Sequence, residues 1–283
     1  MNFSAVVSYL RSDPSISSSG PGRRLIEYSS IILLCLAAIL LIALRLKLIG
    51  GLTLLFGLMQ LPLTPKIFAR NIFLVYVSIA ILSLIPITTD VTNINFARMG
   101  TALLAALLIP YFTSRYLYKD HLVRFRFHHG RQWYKKEIAY ILLTVIIAYF
   151  LLPFYLSNTG AYLSWTVEPG INFLTRLFIG TNALGIWDEL FFVSTVLGIF
   201  RRFLSFHWAN LAQATLFTSF LYELGFTGWG FIMIFLFALI QGLVFRKTDS
   251  LFYVISIHLA LDLVLYFALI HSHHPTWLPV FIS

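Results

Sequence analysis

Charge and cysteine are both scarce in this sequence. Charged residues make up 11% of its 283 residues, and cysteine occurs once. A soluble domain is usually about one quarter charged, so the composition excludes an ordinary soluble protein. The single cysteine, Cys35, excludes an intramolecular disulfide. No polar stretch is long enough to bury a core of its own, so we expect no separate soluble domain.

The sequence consists largely of long apolar runs. Hydrophobic residues make up 59% of the chain, and the mean hydropathy is +0.85. A run of about 17–25 apolar residues can cross a bilayer as a helix. We therefore predict an all-α, polytopic transmembrane helix bundle of about eight to nine spans, near 28–44, 48–63, 71–85, 96–118, 138–156, 171–200, 208–224, 229–245 and 251–270. The run at 48–63 is short and glycine-rich, which leaves a tilted or re-entrant helix open there.

The net charge of +9 does not require a nucleic-acid partner. The basic residues cluster between apolar runs, as the positive-inside rule predicts for cytoplasmic loops. We expect an integral, multi-pass membrane protein with a cytoplasmic N-terminus, an outer C-terminus and no nucleic acid bound. The most basic loop, 114–137, alternates basic with aromatic residues, which suits anionic lipid headgroups. A plain cytoplasmic loop is the alternative interpretation.

The predicted organisation has four segments. Residues 1–27 contain a Ser/Gly/Pro-rich stretch and are predicted to be a disordered cytoplasmic segment. Residues 28–170 hold the N-terminal transmembrane helices and the basic loop. Residues 171–270 form a block of core helices, and 271–283 form a C-terminal tail.

Four acids and one histidine interrupt the apolar runs of the second half: Asp188, Glu189, Glu223, His258 and Asp262. A charged side chain inside a bilayer costs at least about 2.5–3.5 kcal/mol on insertion scales. That cost persists where the group does chemistry, lines a water-filled path or meets a partner. The helical rise places the first two about 17 Å, Glu223 about 22 Å, His258 about 10 Å and Asp262 about 16 Å from the cytoplasmic side. We therefore predict that the five converge in one site.

These residues resemble three motifs of the CAAX-processing and bacteriocin-protection (CPBP, Abi) intramembrane proteases. Asp188-Glu189-Leu-Phe-Phe-Val193 resembles Glu-Glu-x-x-x-Arg, and His258-Leu-Ala-Leu-Asp262 matches His-x-x-x-Asn/Asp. Ser219-Phe-Leu-Tyr-Glu223 falls where Phe-x-x-x-His belongs. The resemblance covers about residues 171–270. The sequence departs from the motifs at four positions. Asp188 replaces the first Glu, and Val193 replaces the Arg that pairs with the second Glu. Ser219 and Glu223 replace the Phe and the His of the second motif.

The resemblance implies an intramembrane endopeptidase. A carboxylate-activated water would attack a peptide bond of a membrane-associated protein or peptide, at a midplane site open to the cytoplasmic side. Asp188 or Glu189 would be the base, while His258 and a protonated Glu223 would stabilise the oxyanion. Asp262 would orient His258 or the water. No cofactor is expected. A divalent metal would be held by His258, Asp262, Glu223 and Glu189, and it is less favoured because catalytic zinc commonly has two or three His ligands.

Two other functions remain open at this point. The departures from the motifs are compatible with a catalytically inactive relative that binds a membrane partner or confers self-protection. Acids at the midplane also mark proton- or ion-coupled transporters, although the two halves of the sequence show no internal repeat.

Overall fold

A computed structural model describes residues 21–127 and 133–281 of the chain. Within these ranges the secondary structure is helical and contains no strand, which confirms the predicted all-α class. The helices of the first half are α1 (Pro21–Ala38), α2 (Lys47–Gln60), α3 (Lys66–Ser83), α4 (Asn93–Phe112) and α5 (Lys135–Thr159). Short π-helical segments extend α1 over Ile39–Ala43 and α4 over Thr113–Leu117. Short 3₁₀ segments cover Leu61–Leu63 and Ala161–Ser164.

The second half contributes four more helices to the described chain. The long α6 is α-helical over Ile171–Asp188, π-helical over Glu189–Val196 and α-helical again over Leu197–Phe200. It is followed by α7 (Phe206–Glu223), α8 (Gly230–Thr248) and α9 (Leu251–His273). Ser250 caps α9, because its side chain accepts a hydrogen bond from the backbone N–H of Tyr253.

Seven helices among the described residues are long and apolar enough to cross a membrane. They are Gly22–Ala43, Lys66–Ser83, Asn93–Leu117, Lys135–Thr159, Ile171–Phe200, Gly230–Thr248 and Leu251–His273. The chain is therefore a multi-pass membrane protein, and the predicted eight to nine spans are corrected to seven. The run at 48–63 forms a shorter apolar helix, Lys47–Leu63. Helix α7 is not among these seven helices. It is less apolar, because it carries the polar residues His207, Asn210, Gln213 and Glu223.

The limits predicted for the first and the last segment can be compared with the observed helix ends. Residues 1–20 lie outside the described residues, but α1 already begins at Pro21, so the described end of the segment predicted to be disordered is helical. At the C-terminal end, α9 continues to His273. The tail then folds back, because a ring nitrogen of His271 lies 2.9 Å from the carbonyl of Leu278. Which side of the membrane each terminus occupies remains a prediction.

The two helices that carry most of the predicted site are the most buried. Burial covers 72% of the most apolar stretch of α6 and 61% of that of α9, against 22% for α4 with its extension and for α5. Helix α9 packs against α5 and α6, while α7 pairs with α8. Polar groups on α6 and α9 are therefore held away from lipid, in the interior of the bundle.

The first part of the basic loop is tied to the core helices by its backbone. The carbonyl of Arg126 accepts from the N–H of Leu251 at 2.9 Å, and the carbonyl of Arg124 accepts from the hydroxyl of Ser194 at 3.0 Å. These bonds join the loop to the start of α9 and to the π-helical part of α6. Residues 128–132 of the loop lie outside the described residues. Its interaction with anionic lipid stays a prediction.

Candidate active site

The imidazole of His258 lies at the centre of a buried acidic cluster. Its Nδ1 is 2.8 Å from Oε1 of Glu189. Its Nε2 lies 4.0 Å from Oδ2 of Asp188 and 3.8 Å from Oδ1 of Asp262. All four residues are buried, with Glu189 at 0% exposure. The structure thus brings together four of the five residues singled out in the sequence.

Helix geometry explains how two adjacent acids reach opposite edges of one ring. Consecutive residues point about 100° apart around a helix, so Asp188 and Glu189 approach the imidazole from different directions. The change from α- to π-helix falls between them. Segments of π-helix are rare and often mark functional sites. On α9, His258 and Asp262 are four residues apart and share one face, as their spacing predicts.

Nε2 of His258 faces two carboxylates without a direct hydrogen bond to either. The distances from Nε2 to Asp188 and to Asp262 both exceed a direct hydrogen bond. In addition, Oδ1 of Asp188 and Oδ2 of Asp262 are buried and accept no hydrogen bond from any described residue. Acceptors of this kind can receive a proton.

Glu189 has a second partner that the sequence reasoning missed. The side-chain amide of Gln241 donates from Nε2 to Oε1 of Glu189 at 2.8 Å and to the carbonyl of Val254 at 3.1 Å. Gln241 is fully buried on α8. The sequence does mark this residue, because Gln241 is the single polar side chain between Phe231 and Phe245.

Aromatic side chains enclose the cluster. The ring of Phe237 lies 5.2 Å, and that of Phe217 6.1 Å, from the ring of His258. Trp187 stacks on Phe191 at 4.8 Å, next to the two acids in sequence. Apolar walls lower the local dielectric constant and strengthen every electrostatic interaction inside them.

The position of Phe217 changes how the second motif aligns. Phe217 contacts the His258 ring. Aligning Phe-x-x-x-His on Phe217 places Leu221 at the His position, in place of the alignment of Ser219 with Glu223. In either alignment α7 contributes no imidazole to the cluster.

Gly185 gives the cluster room. It lies one helical turn before Asp188 on α6 and faces α9. A methyl group on its Cα would overlap Oδ2 of Asp262 and come within 3.1 Å of Cδ2 of His258. The absence of a side chain at this position therefore lets the carboxylate and the imidazole approach α6.

Glu223 is the one predicted site residue that has a different partner. Its carboxylate forms an ion pair with the guanidinium of Arg45, which follows the π-helical end of α1. Glu223 is the last residue of α7, although the depth estimate placed it in the same layer as the other four. The expectation that Glu223 completes the cluster is therefore corrected. It lies at a helix end, within reach of a cation from a neighbouring connection.

The side chains of the cluster do not form a metal-binding set. In the described part of the chain, no group of three or more His, Cys, Asp or Glu residues could hold a metal ion. The metal-binding set considered from the sequence joined Glu223 to Glu189, His258 and Asp262, and Glu223 pairs with Arg45 instead.

Comparison with known families places the cluster within a recognised sequence segment. Residues 170–264 match the family described as Rce1-like, type II CAAX prenyl endopeptidase Rce1-like. The matched range contains Asp188, Glu189, Gln241, His258 and Asp262, and it confirms the resemblance to CAAX-processing proteases for this part of the chain. No curated protein and no solved structure matches the chain.

Proposed function

We propose that this chain, whose residues 170–264 match the type II CAAX prenyl endopeptidases, is an intramembrane endopeptidase that cleaves a membrane-associated protein or peptide. The observation that carries the proposal is the position of His258 among Glu189, Asp188 and Asp262. Peptide hydrolysis needs a base for water, a donor to the oxyanion and a proton for the leaving amine. A buried imidazole flanked by carboxylates can supply all three.

Glu189 and Asp188 have different roles in this proposal. Oε1 of Glu189 accepts from both Gln241 and the Nδ1–H of His258, so Glu189 is suited to hold the imidazole in place. Oδ1 of Asp188 accepts no hydrogen bond from the described residues and is suited to take a proton from water. Asp188 is therefore the proposed base, and Glu189 orients His258.

The reaction follows from these positions. Asp188 accepts a proton as the water oxygen bonds to the carbonyl carbon of the substrate, and the carbonyl electron pair moves to oxygen. His258, with Nδ1–H donated to Glu189 and a second proton on Nε2, donates from Nε2 to this oxyanion. The C–N bond then breaks as Asp188 passes its proton to the amine nitrogen. Asp262 lies next to Nε2 and orients the imidazole and the water.

Cleavage by the purified protein tests this proposal. The protein would be incubated in detergent with a farnesylated peptide that ends in a CAAX sequence, and separately co-expressed with a single-span membrane protein. Glu189→Gln and His258→Ala should each lose about 10²-fold or more in rate, since one removes the support of the imidazole and the other the oxyanion donor. Undiminished cleavage by both variants would contradict the proposed function.

A second candidate is a catalytically inactive relative that binds a membrane partner or confers self-protection. The observation that favours it is the composition of the second motif. Helix α7 places Phe217 against His258 but supplies no imidazole, and its acid Glu223 is paired with Arg45. Biological function retained in full by Glu189→Gln and His258→Ala would support this candidate over the enzyme.

A further inference from the structure

Glu189 lacks the cation that the first motif normally supplies. The resembled motif has an Arg four residues after its second Glu, and this chain has Val193 there. Val193 is fully buried and cannot donate a hydrogen bond. Glu189 is nevertheless at 0% exposure. A buried carboxylate without donors is costly, so other groups must hold it.

Gln241 supplies one of those donors from a different helix. Its Nε2 lies 2.8 Å from Oε1 of Glu189, and the same nitrogen donates to the carbonyl of Val254 at 3.1 Å. The amide therefore links α8 to the π-helical part of α6 and to α9. The same Oε1 also meets Nδ1 of His258 at 2.8 Å. Three helices converge on one oxygen atom.

We propose that Gln241 is a positioning residue that takes the place of the missing arginine. By fixing Oε1 of Glu189, it keeps the carboxylate in line with Nδ1 of His258. The ring nitrogen that carries a proton is set by the hydrogen bond at the other nitrogen. Gln241 thereby holds the proton on Nδ1 and keeps Nε2 directed to the space between Asp188 and Asp262.

An amide differs from a guanidinium in one respect that matters here. It donates hydrogen bonds but brings no positive charge. In the described structure Glu189 has two hydrogen-bond partners, the neutral amide of Gln241 and the imidazole of His258. Of these two, only the imidazole is a base. The orientation of His258 depends on Gln241 more directly than it would beside a fixed cation.

Gln241→Met is the test, because methionine keeps the length of the side chain and removes the donor. The role of Gln241 in cleavage rests on the proposed function, but the state of the imidazole can be measured without it. We would record ¹⁵N spectra of histidine-labelled protein in detergent and identify the His258 signals by their loss in His258→Phe. In the wild type we expect both ring nitrogens to carry a proton, with Nδ1–H donated to Glu189. In Gln241→Met we expect signals of neutral imidazole in mixed tautomers to appear, because the hydrogen bond from Nδ1 to Glu189 is no longer held in line, and we expect kcat to fall about 10–100-fold with KM nearly unchanged.

Asn210→Leu is the matched control. Asn210 is also a buried amide, and it donates to the carbonyl of Leu239 at 2.9 Å across the interface of α7 and α8. It forms no hydrogen bond with any of the four cluster residues in the described structure. Its replacement should lower thermal stability and leave both the His258 signals and kcat at their wild-type values. If Gln241→Met does not fold, Gln241→Asn, which is one methylene shorter, gives the same test.

The possible results separate the two proposals. Unchanged His258 signals in Gln241→Met, with a loss of stability like that of Asn210→Leu, would show that Gln241 only supports packing and would overturn the inference. Altered His258 signals in a protein that cleaves no substrate would uphold the role of Gln241 while contradicting the proposed protease function.

Discussion

Two acidic sites in the second half of the chain are built differently. Glu223 ends α7 and pairs with Arg45, whose side chain is 62% exposed. Asp188, Glu189 and Asp262 lie within α6 and α9 and share one imidazole. A carboxylate that has its own cation is neutralised and fixed in place by that cation, as in a structural ion pair. Carboxylates that share one weak base keep free lone pairs, and such clusters are typical of functional sites.

The largest expected effect separates these two sites directly. Asp188→Asn removes the proposed base and should lower the cleavage rate about 10²–10⁴-fold. Glu223→Gln is the matched change at the other site and should leave the rate within about twofold, because a partly exposed ion pair contributes about 1 kcal/mol or less. Initial rates at equal protein concentration measure both. The comparison fails if Glu223→Gln is inactive while Asp188→Asn is not.

The difference between the sites also shows what the sequence could reveal. The convergence of Asp188, Glu189, His258 and Asp262 followed from depth along straight helices and from the i,i+4 spacing, and both arguments are local. The partner of Glu223 did not follow, because Arg45 is 178 residues away and belongs to a connection whose path depends on tertiary packing. The same limit applies to Gln241, which reaches Glu189 only once α8 lies beside α6.

The number of spans was less predictable for a related reason. Hydropathy identified the long apolar runs, and these became the membrane-spanning helices. Hydropathy predicted two spans too many. The run at 48–63 forms a shorter helix, and α7 holds its polar residues Asn210 and Gln213 inside the bundle. A helix that packs against protein on several sides tolerates polar residues that a lipid-facing helix does not. Sequence hydropathy alone does not distinguish these environments.

A smaller effect is expected from the glycine that gives the acidic cluster its room. Gly185→Ala places a methyl group against Oδ2 of Asp262, so the carboxylate must turn away from Nε2 of His258. We expect an activity loss of about tenfold and a destabilisation of about 1–3 kcal/mol. Gly198→Ala, on the same helix, is the control, since a methyl group there meets no atom within 4 Å. Cleavage rates and thermal unfolding in detergent report the two effects, and equal behaviour of both variants would contradict the crowding at Gly185.

The smallest expected effect concerns Asp120, a carboxylate outside the spans that resembles Glu223 in having a cation, Arg70, at 3.0 Å. Burial raises the pKa of Asp120, but hydrogen bonds from the Ser114 hydroxyl and the Leu122 N–H, together with Arg70, outweigh it and lower the pKa below its usual value. A depressed pKa in the folded state stabilises the protein above the unfolded pKa of about 3.9. That contribution is lost as the pH falls through the folded value.

Asp120→Asn should therefore lower the melting temperature at pH 6 and match the wild type progressively more closely as the pH falls below about 4. The difference corresponds to about 1 kcal/mol or less, because the pair is partly exposed and screened by solvent. Melting curves of both proteins in one detergent between pH 3 and 6 measure it. A difference that stays constant across this range would mean that the Arg70–Asp120 pair does not hold the carboxylate in its charged form. Asp120 would then no longer belong with Glu223 among the acids that a cation neutralises.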